Sequence, residues 1–108
     1  MKYALLAYNA PTTEQRGPIK PAIAEALARP SVTSWARLQP AESATTLSNP
    51  SGKTLLTDGP FVDSKEYLGG LIIVEAANLD GALAIATELQ GLMASGGAIE
   101  VRPILEDG

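Results

Sequence analysis

The stretch Thr57-Asp58-Gly59-Pro60-Phe61, followed by Lys65-Glu66 and Gly69-Gly70-Leu71-Ile72-Ile73-Val74, constrains the fold of this chain more than any other segment. The four apolar residues 71–74 predict a strand that is buried on both faces, because a half-solvated strand alternates apolar and polar side chains. Lys2–Tyr8 predicts a first strand that is nearly as apolar. A sheet built on these two strands therefore needs a cover on both of its faces.

The segment Asp58-Gly59-Pro60-Phe61 predicts a tight turn. Asp58 can bond to nearby backbone N–H groups, Gly59 tolerates a positive φ, and Pro60 fixes its own φ. We expect Phe61 to anchor this turn in the core. This turn follows a predicted hairpin, whose two β-type runs, 44–47 and 53–57, lie on either side of the turn-rich residues 48–52.

Helical periodicity places two helices outside the hairpin. The first begins with Pro21 in its first turn and stops before Pro30, after a polar loop over residues 9–17. The second has Asn78 as its N-cap and one apolar face, formed by Leu79, Ala82, Leu83, Ala86 and Leu89. Short strands are predicted at 32–38 and 99–104.

The order of these elements predicts an α+β fold over residues 1–108 as a single domain. It is a ferredoxin-like protomer with an antiparallel sheet and two helices on one face. The apolar side chains on the other face predict a homodimer in which two sheets pack face to face.

Composition excludes several classes of function. The net charge is −4, and no two of the eight Lys and Arg residues are adjacent, so we expect no nucleic-acid partner. The chain has no Cys and no His, which removes disulfides, thiol nucleophiles and the commonest metal ligands. We expect no metal and no cofactor. No segment approaches the about 20 apolar residues of a membrane span, so we expect no membrane partner and a cytoplasmic location.

The candidate catalytic residue is Asp58, either as a carboxylate base at a strand end or as a turn residue only. Lys65 and Glu66 are candidate ligand-binding residues at the rim of a cavity beside it, or else a solvated charged pair. A carboxylate that works as a base needs an apolar pocket, which Phe61 and an interface cavity would supply.

Three further candidate ligand-binding residues are Glu100, Arg102 and Tyr8. If Ile99 and Val101 pack under the helices, Glu100 and Arg102 point to the opposite face, where they either pair across a dimer interface or line a pocket. Arg102 suits a carboxylate, because its guanidinium forms two parallel hydrogen bonds with one. Tyr8 ends the first strand and is placed nearest the mouth of a pocket.

Several of these motifs, in this order and spacing, resemble the YCII-related family in its Asp-Gly-Pro-Phe (DGPF) branch: Asp58-Gly59-Pro60-Phe61, Lys65-Glu66, Leu68-Gly69-Gly70, Asn78-Leu79-Asp80 and Glu100-Val101-Arg102-Pro103. The resemblance implies a dimeric α+β barrel, and most family members are of unknown function. A His–Asp pair proposed for the dehydrochlorinating or lactone-processing relatives has no counterpart here, because the chain lacks His. The resemblance also implies an association with an extracytoplasmic-function sigma factor.

Three hypotheses remain open at this point. The first is a small-ligand-binding or regulatory homodimer. The second is a lyase or hydrolase that acts on a small substrate, such as an aromatic one, with Asp58 as base and Arg102 as anion stabiliser. The third is a purely structural or partner-binding dimer in which Glu100 and Arg102 form an interface network.

Overall fold

The computed structural model describes residues 1–9, 17–62, 65–93 and 97–108. Within these ranges the elements are β1 (Lys2–Asn9), α1 (Pro21–Leu27), β2 (Val32–Arg37), β3 (Thr45–Ser48), β4 (Leu55–Asp58), β5 (Tyr67–Glu75), α2 (Leu79–Leu92) and β6 (Ala98–Pro103). The prediction of an α+β fold is confirmed, and β5 begins at Tyr67, four residues before its apolar run at 71–74. Most of the loop predicted at 9–17 lies outside the described residues.

The main sheet has four strands in the order β2-β5-β1-β6, and every pair is antiparallel. The strands β1 and β5 are therefore central, as their two-sided apolar character requires. This order, with two helices in the connections, is compatible with a ferredoxin-like fold. The strands β3 and β4 pair only with each other and form a separate hairpin between β2 and β5.

One face of the sheet, called the helix-covered face below, carries the core. Leu5 and Val74 are fully buried there, at 0% exposure. They form one cluster with Tyr3 and Ile72 of the sheet, Ala26 and Leu27 of α1, and Ala82, Ala86 and Leu89 of α2. The prediction that Leu79 and Leu83 belong to the buried face of α2 is wrong, because they are 48% and 42% exposed. Ile85 and Leu92 pack against the cluster instead.

The start of α2 is fixed by its own sequence. Asn78 has an extended backbone, and its Oδ1 accepts a hydrogen bond from the Gly81 N–H at 3.0 Å. This bond satisfies one of the N–H groups that the first turn of a helix leaves unpaired. The prediction of Asn78 as N-cap is confirmed.

The opposite face of the sheet, called the open face, has no covering element within the described residues. Side chains alternate along a strand, so Ala4, Leu6 and Tyr8 of β1 point to this face. Leu71 and Ile73 of β5 lie beside them, because Leu71 pairs with Leu6 and Ile73 with Ala4. Leu71 is 37% exposed in the single chain.

The hairpin ends in the predicted turn, which is held by backbone contacts. Gly59 has φ 101, and its N–H donates to the Ala44 carbonyl at 2.7 Å. The Thr46 hydroxyl donates to the Gly59 carbonyl, also at 2.7 Å. The prediction that Phe61 anchors the turn in the core is wrong, because Phe61 is 79% exposed. The hairpin lies outside the main sheet, so its turn needs no anchor there.

No helix in the described part of the chain is long and apolar enough to cross a membrane.

Candidate functional site

A cavity of about 440 Å³ lies between the helix-covered face and the two helices. This volume falls in the range of about 300–1,000 Å³ that small-molecule sites occupy. Its walls come from both helices, the four strands of the main sheet and the chain before α1. They are mostly aliphatic, and the large aliphatic side chains are Ile19, Ile23, Leu27, Ile72, Leu89, Leu92 and Ile99.

Small residues in the sheet leave this space open. Gly70 is buried in β5, opposite Ala7 of β1 and Arg37 of β2. A Cβ on Gly70 would meet the Ala36 carbonyl oxygen at 3.5 Å and the Ala7 Cβ at 3.7 Å, which are ordinary contact distances. Ala7, Gly69 and Gly70 all line the cavity. The cavity therefore exists because the residues of the sheet beneath it, Ala7, Gly69 and Gly70, have little or no side chain to fill the space.

Within the described ranges, the charged residues that line the cavity are Lys20 and Arg37, and both are cationic. The Arg37 guanidinium donates a hydrogen bond to the Gly17 carbonyl at 3.0 Å, which holds the end of the side chain against the chain before α1. Trp35 lies two residues earlier on the same strand, lines the same cavity and is 45% exposed. It is the one tryptophan of the chain.

None of the six residues predicted from the sequence to bind or react lines this cavity. Asp58 is the last residue of β4 and is exposed, as are Lys65 and Glu66 after the turn. No hydrogen bond or ion pair found among the described residues involves the Asp58 carboxylate. The roles predicted for these three residues stay predictions.

Glu100 and Arg102 project as predicted, since Ile99 and Val101 pack against the core cluster. Their side chains are exposed and form an ion pair with each other. They lie beside Leu6 and Ala4 on the open face. Tyr8 is half-buried on the same face, between Leu68 of β5 and Ala98 of β6.

A second, shallower recess of about 300 Å³ lies where the hairpin meets the sheet. Pro60 of the predicted turn lines it, together with Leu38, Pro40, Tyr67 and Leu68. Leu68 also belongs to the open face, since it pairs with Tyr8. The recess therefore continues the open face towards the hairpin.

In the described part of the chain, the shifted pKa values belong to surface ion pairs that do not line the cavity. The hydrogen bond from Lys2 lowers the pKa of Asp107, and the same contact raises the pKa of Lys2. Glu88 raises the pKa of Arg29 in the same way. Across the described residues, no group of three or more His, Cys, Asp or Glu side chains is placed to hold a metal ion.

Sequence reasoning missed the cavity residues Arg37, Trp35 and Lys20. A signal for two of them was present, because alternation along a strand places Trp35 and Arg37 on the same face. The cavity that they line could not be predicted in the same way, because it depends on Ala7 and Gly70, which are far from β2 in the sequence.

Comparison with known proteins gives two findings. The family model of the YCII-related domain matches residues 1–106. An uncharacterised protein of Rhizobium meliloti (strain 1021) is 44% identical over 69 residues, which are 64% of this chain and 56% of that protein. The chain thus spans little more than half the length of this relative.

Proposed function

The chain belongs to the YCII-related domain family, and from this membership we propose that it is a small-molecule-binding homodimer of the Asp-Gly-Pro-Phe branch. Each protomer holds its ligand in the cavity between the helices and the sheet. The observation that carries the proposal is this cavity, with its aliphatic walls and few polar groups. Such a lining is typical of small-molecule sites, where the polar groups set orientation and specificity.

The proposed partner on the open face is a second copy of the chain. The face presents Ala4, Leu6, Leu71 and Ile73 side by side, and an apolar sheet surface of this kind is stable in water when another apolar surface covers it. Two open faces in contact form the dimeric α+β barrel. A two-fold axis makes the patch self-complementary.

The size of the open face indicates that the hairpin takes part as well. β1 has eight residues, so the face is about 26 Å long and about 19 Å wide across four strands, or about 500 Å². A stable interface buries about 800 Å² of each partner. The hairpin and its turn carry large exposed apolar side chains that supply the rest: Leu47, Leu55, Leu56, Phe61 and Val62.

Dimerisation and ligand binding do not compete in this arrangement. The cavity lies on the helix-covered face and the partner lies on the open face, so the sheet separates them. The proposal is binding rather than catalysis, because Asp58 lies exposed on the hairpin and outside the lining of the cavity. Association with a sigma factor stays a prediction, and a ligand-responsive dimer is compatible with such a role.

The proposal is tested by a substitution that fills the cavity with a larger side chain from the sheet. In Ala7→Leu, the new side chain occupies the space above Ala7 and Gly70, and an open cavity accepts it without the strain of an overpacked core. The matched control is Ala84→Leu, which makes the same change at an exposed position of α2 that lines neither the cavity nor the open face. The probe is N-phenyl-1-naphthylamine, a neutral apolar fluorophore that quenches Trp35 by energy transfer.

We expect saturable quenching of Trp35 in the wild type and in Ala84→Leu, and its loss in Ala7→Leu. Equal probe binding by Ala7→Leu and the wild type would place the ligand elsewhere and overturn the proposal. Light scattering at micromolar concentration checks the assembly, for which we expect twice the chain mass of 11.2 kDa. A mass of one chain would refute the homodimer.

A further inference from the structure

We propose that the ligand is a small apolar molecule with a single carboxylate group, which Arg37 binds at the mouth of the cavity. This inference rests on the proposed function, because it assigns the chemistry of a ligand in the same cavity. It is carried by the distribution of charge around the cavity and by the position of Arg37.

The cavity is cationic in an acidic protein. The chain has 12 Asp and Glu against eight Lys and Arg, for a net charge of −4. Among the residues that the structure describes, the lining nevertheless contains Lys20 and Arg37 and no acidic side chain. A site for a cation would reverse this pattern, because opposite charges face each other where a ligand is recognised. The local sign of charge therefore favours an anion.

Arg37 keeps most of its hydrogen-bonding capacity. Its one hydrogen bond within the described parts of the chain goes to the Gly17 carbonyl at 3.0 Å. A guanidinium has five N–H donors in a planar fork, so further donors remain for a ligand. A backbone carbonyl carries no net charge, and no carboxylate in the described ranges pairs with Arg37, whereas Arg29 and Arg102 are each paired with a glutamate. The hydrogen bond to Gly17 therefore fixes the orientation of the Arg37 guanidinium, whose positive charge can still attract an anion.

The rest of the lining limits the ligand to one charged group. Away from Lys20 and Arg37, the walls are mostly aliphatic, with the indole of Trp35 on the side of β2. A second charge on the ligand would lose its water without gaining a partner there, which is strongly unfavourable. The apolar body packs against these walls, and the carboxylate stays at the end of the cavity where Arg37 lies.

The experiment compares two probes with the same aromatic skeleton. 8-Anilinonaphthalene-1-sulfonate carries one anionic group, whereas N-phenyl-1-naphthylamine carries none. The variant Arg37→Met removes the guanidinium, and Arg29→Met is the matched control, because it removes the same charge from a surface ion pair outside the cavity. Titrations are followed by energy transfer from Trp35, and octanoate and octanol are then compared as competitors for the bound anionic probe.

We expect Arg37→Met to weaken binding of the anionic probe by roughly tenfold to a hundredfold, the range for a lost charge-assisted hydrogen bond. Binding of the neutral probe stays within about twofold, and Arg29→Met binds both probes as the wild type does. Octanoate displaces the anionic probe at lower concentration than octanol. If Arg37→Met does not fold, Arg37→Lys replaces it, and we expect an intermediate loss because lysine keeps the charge without the fork.

The possible failures are distinguishable. If the wild type shows no transfer from Trp35 to the neutral probe, the cavity is not a ligand site, and both the proposed function and this inference fail. If both probes bind equally well and Arg37→Met changes neither, ligand binding stands and the anionic ligand is wrong. Displacement by octanol as effective as that by octanoate also contradicts a carboxylate.

Discussion

Replacing Leu71 with alanine tests the homodimer, and the expected loss follows from the exposed fraction of Leu71 in the single chain. Leu71 lies in the middle of the open face and is 37% exposed. Full burial of a leucine side chain is worth about 1.5–3 kcal/mol, so covering the exposed part contributes about 0.6–1.1 kcal/mol per protomer. Both copies of Leu71 lie in a two-fold symmetric interface, so the contribution doubles.

Alanine keeps the Cβ, so the expected loss is about 1–2 kcal/mol per dimer. This loss corresponds to a dissociation constant about fivefold to thirtyfold higher. Sedimentation equilibrium over a range of protein concentrations measures that constant directly. Urea unfolding at low and high protein concentration gives a second measure, because dissociation makes the midpoint depend on concentration.

Leu5→Ala is the matched comparison, since Leu5 lies on the neighbouring central strand but is fully buried on the helix-covered face. We expect it to lower the free energy of unfolding by about 2–5 kcal/mol, through the cavity that it leaves in the core. The reasoning is refuted if Leu71→Ala leaves the dissociation constant unchanged while Leu5→Ala behaves as stated.

Three other predictions concern single contacts. Asn78→Ala removes the cap of α2 and is expected to cost about 1 kcal/mol, or about 4–8 °C in Tm, in a thermal scan; no change would mean that the Gly81 N–H finds water at no cost. Phe61→Ala is expected to change the free energy of unfolding of the dissociated protomer by less than about 0.5 kcal/mol, because Phe61 is 79% exposed; a loss above about 2 kcal/mol in dilute urea titrations would show that the turn packs on the core. Asp107 is expected to titrate in NMR spectra with a pKa below its ordinary value of 3.8, and Lys2→Met is expected to restore that value. A carboxylate with a lowered pKa stabilises the fold above its unfolded pKa and loses this effect as the pH falls, so the stability difference between Lys2→Met and the wild type should shrink in acid.

The features that depend only on residues close together in the sequence could be predicted from it. Asn78 caps α2 through a hydrogen bond to a residue three positions on, and both partners are visible in the sequence. Gly59 adopts the positive φ that its place in the turn requires. The alternation of Glu100 and Arg102 with Ile99 and Val101 follows from the geometry of a strand alone.

The features that could not be predicted depend on where an element packs. Phe61 is exposed because the hairpin does not join the main sheet, which no local rule for turns determines. The cavity requires Ala7 and Gly70 to meet on paired strands beneath two helices. Arg37 lines a cavity only because these strands and helices pack together. The sequence of β2 by itself predicts an ordinary exposed strand.

The central position of β1 has a consequence for synthesis on the ribosome. β1 is made first, but it pairs with β5 at residues 67–75 and with β6 at residues 98–103. One edge of β1 thus stays unpaired until β5 has left the exit tunnel, and the other stays unpaired until β6 has. An unpaired apolar strand is a template for association with other chains, and non-local pairing of this kind is slow. The nascent chain is therefore most exposed to aggregation before β5 emerges, while both edges of β1 are unpaired, and this is when a chaperone would have the greatest effect.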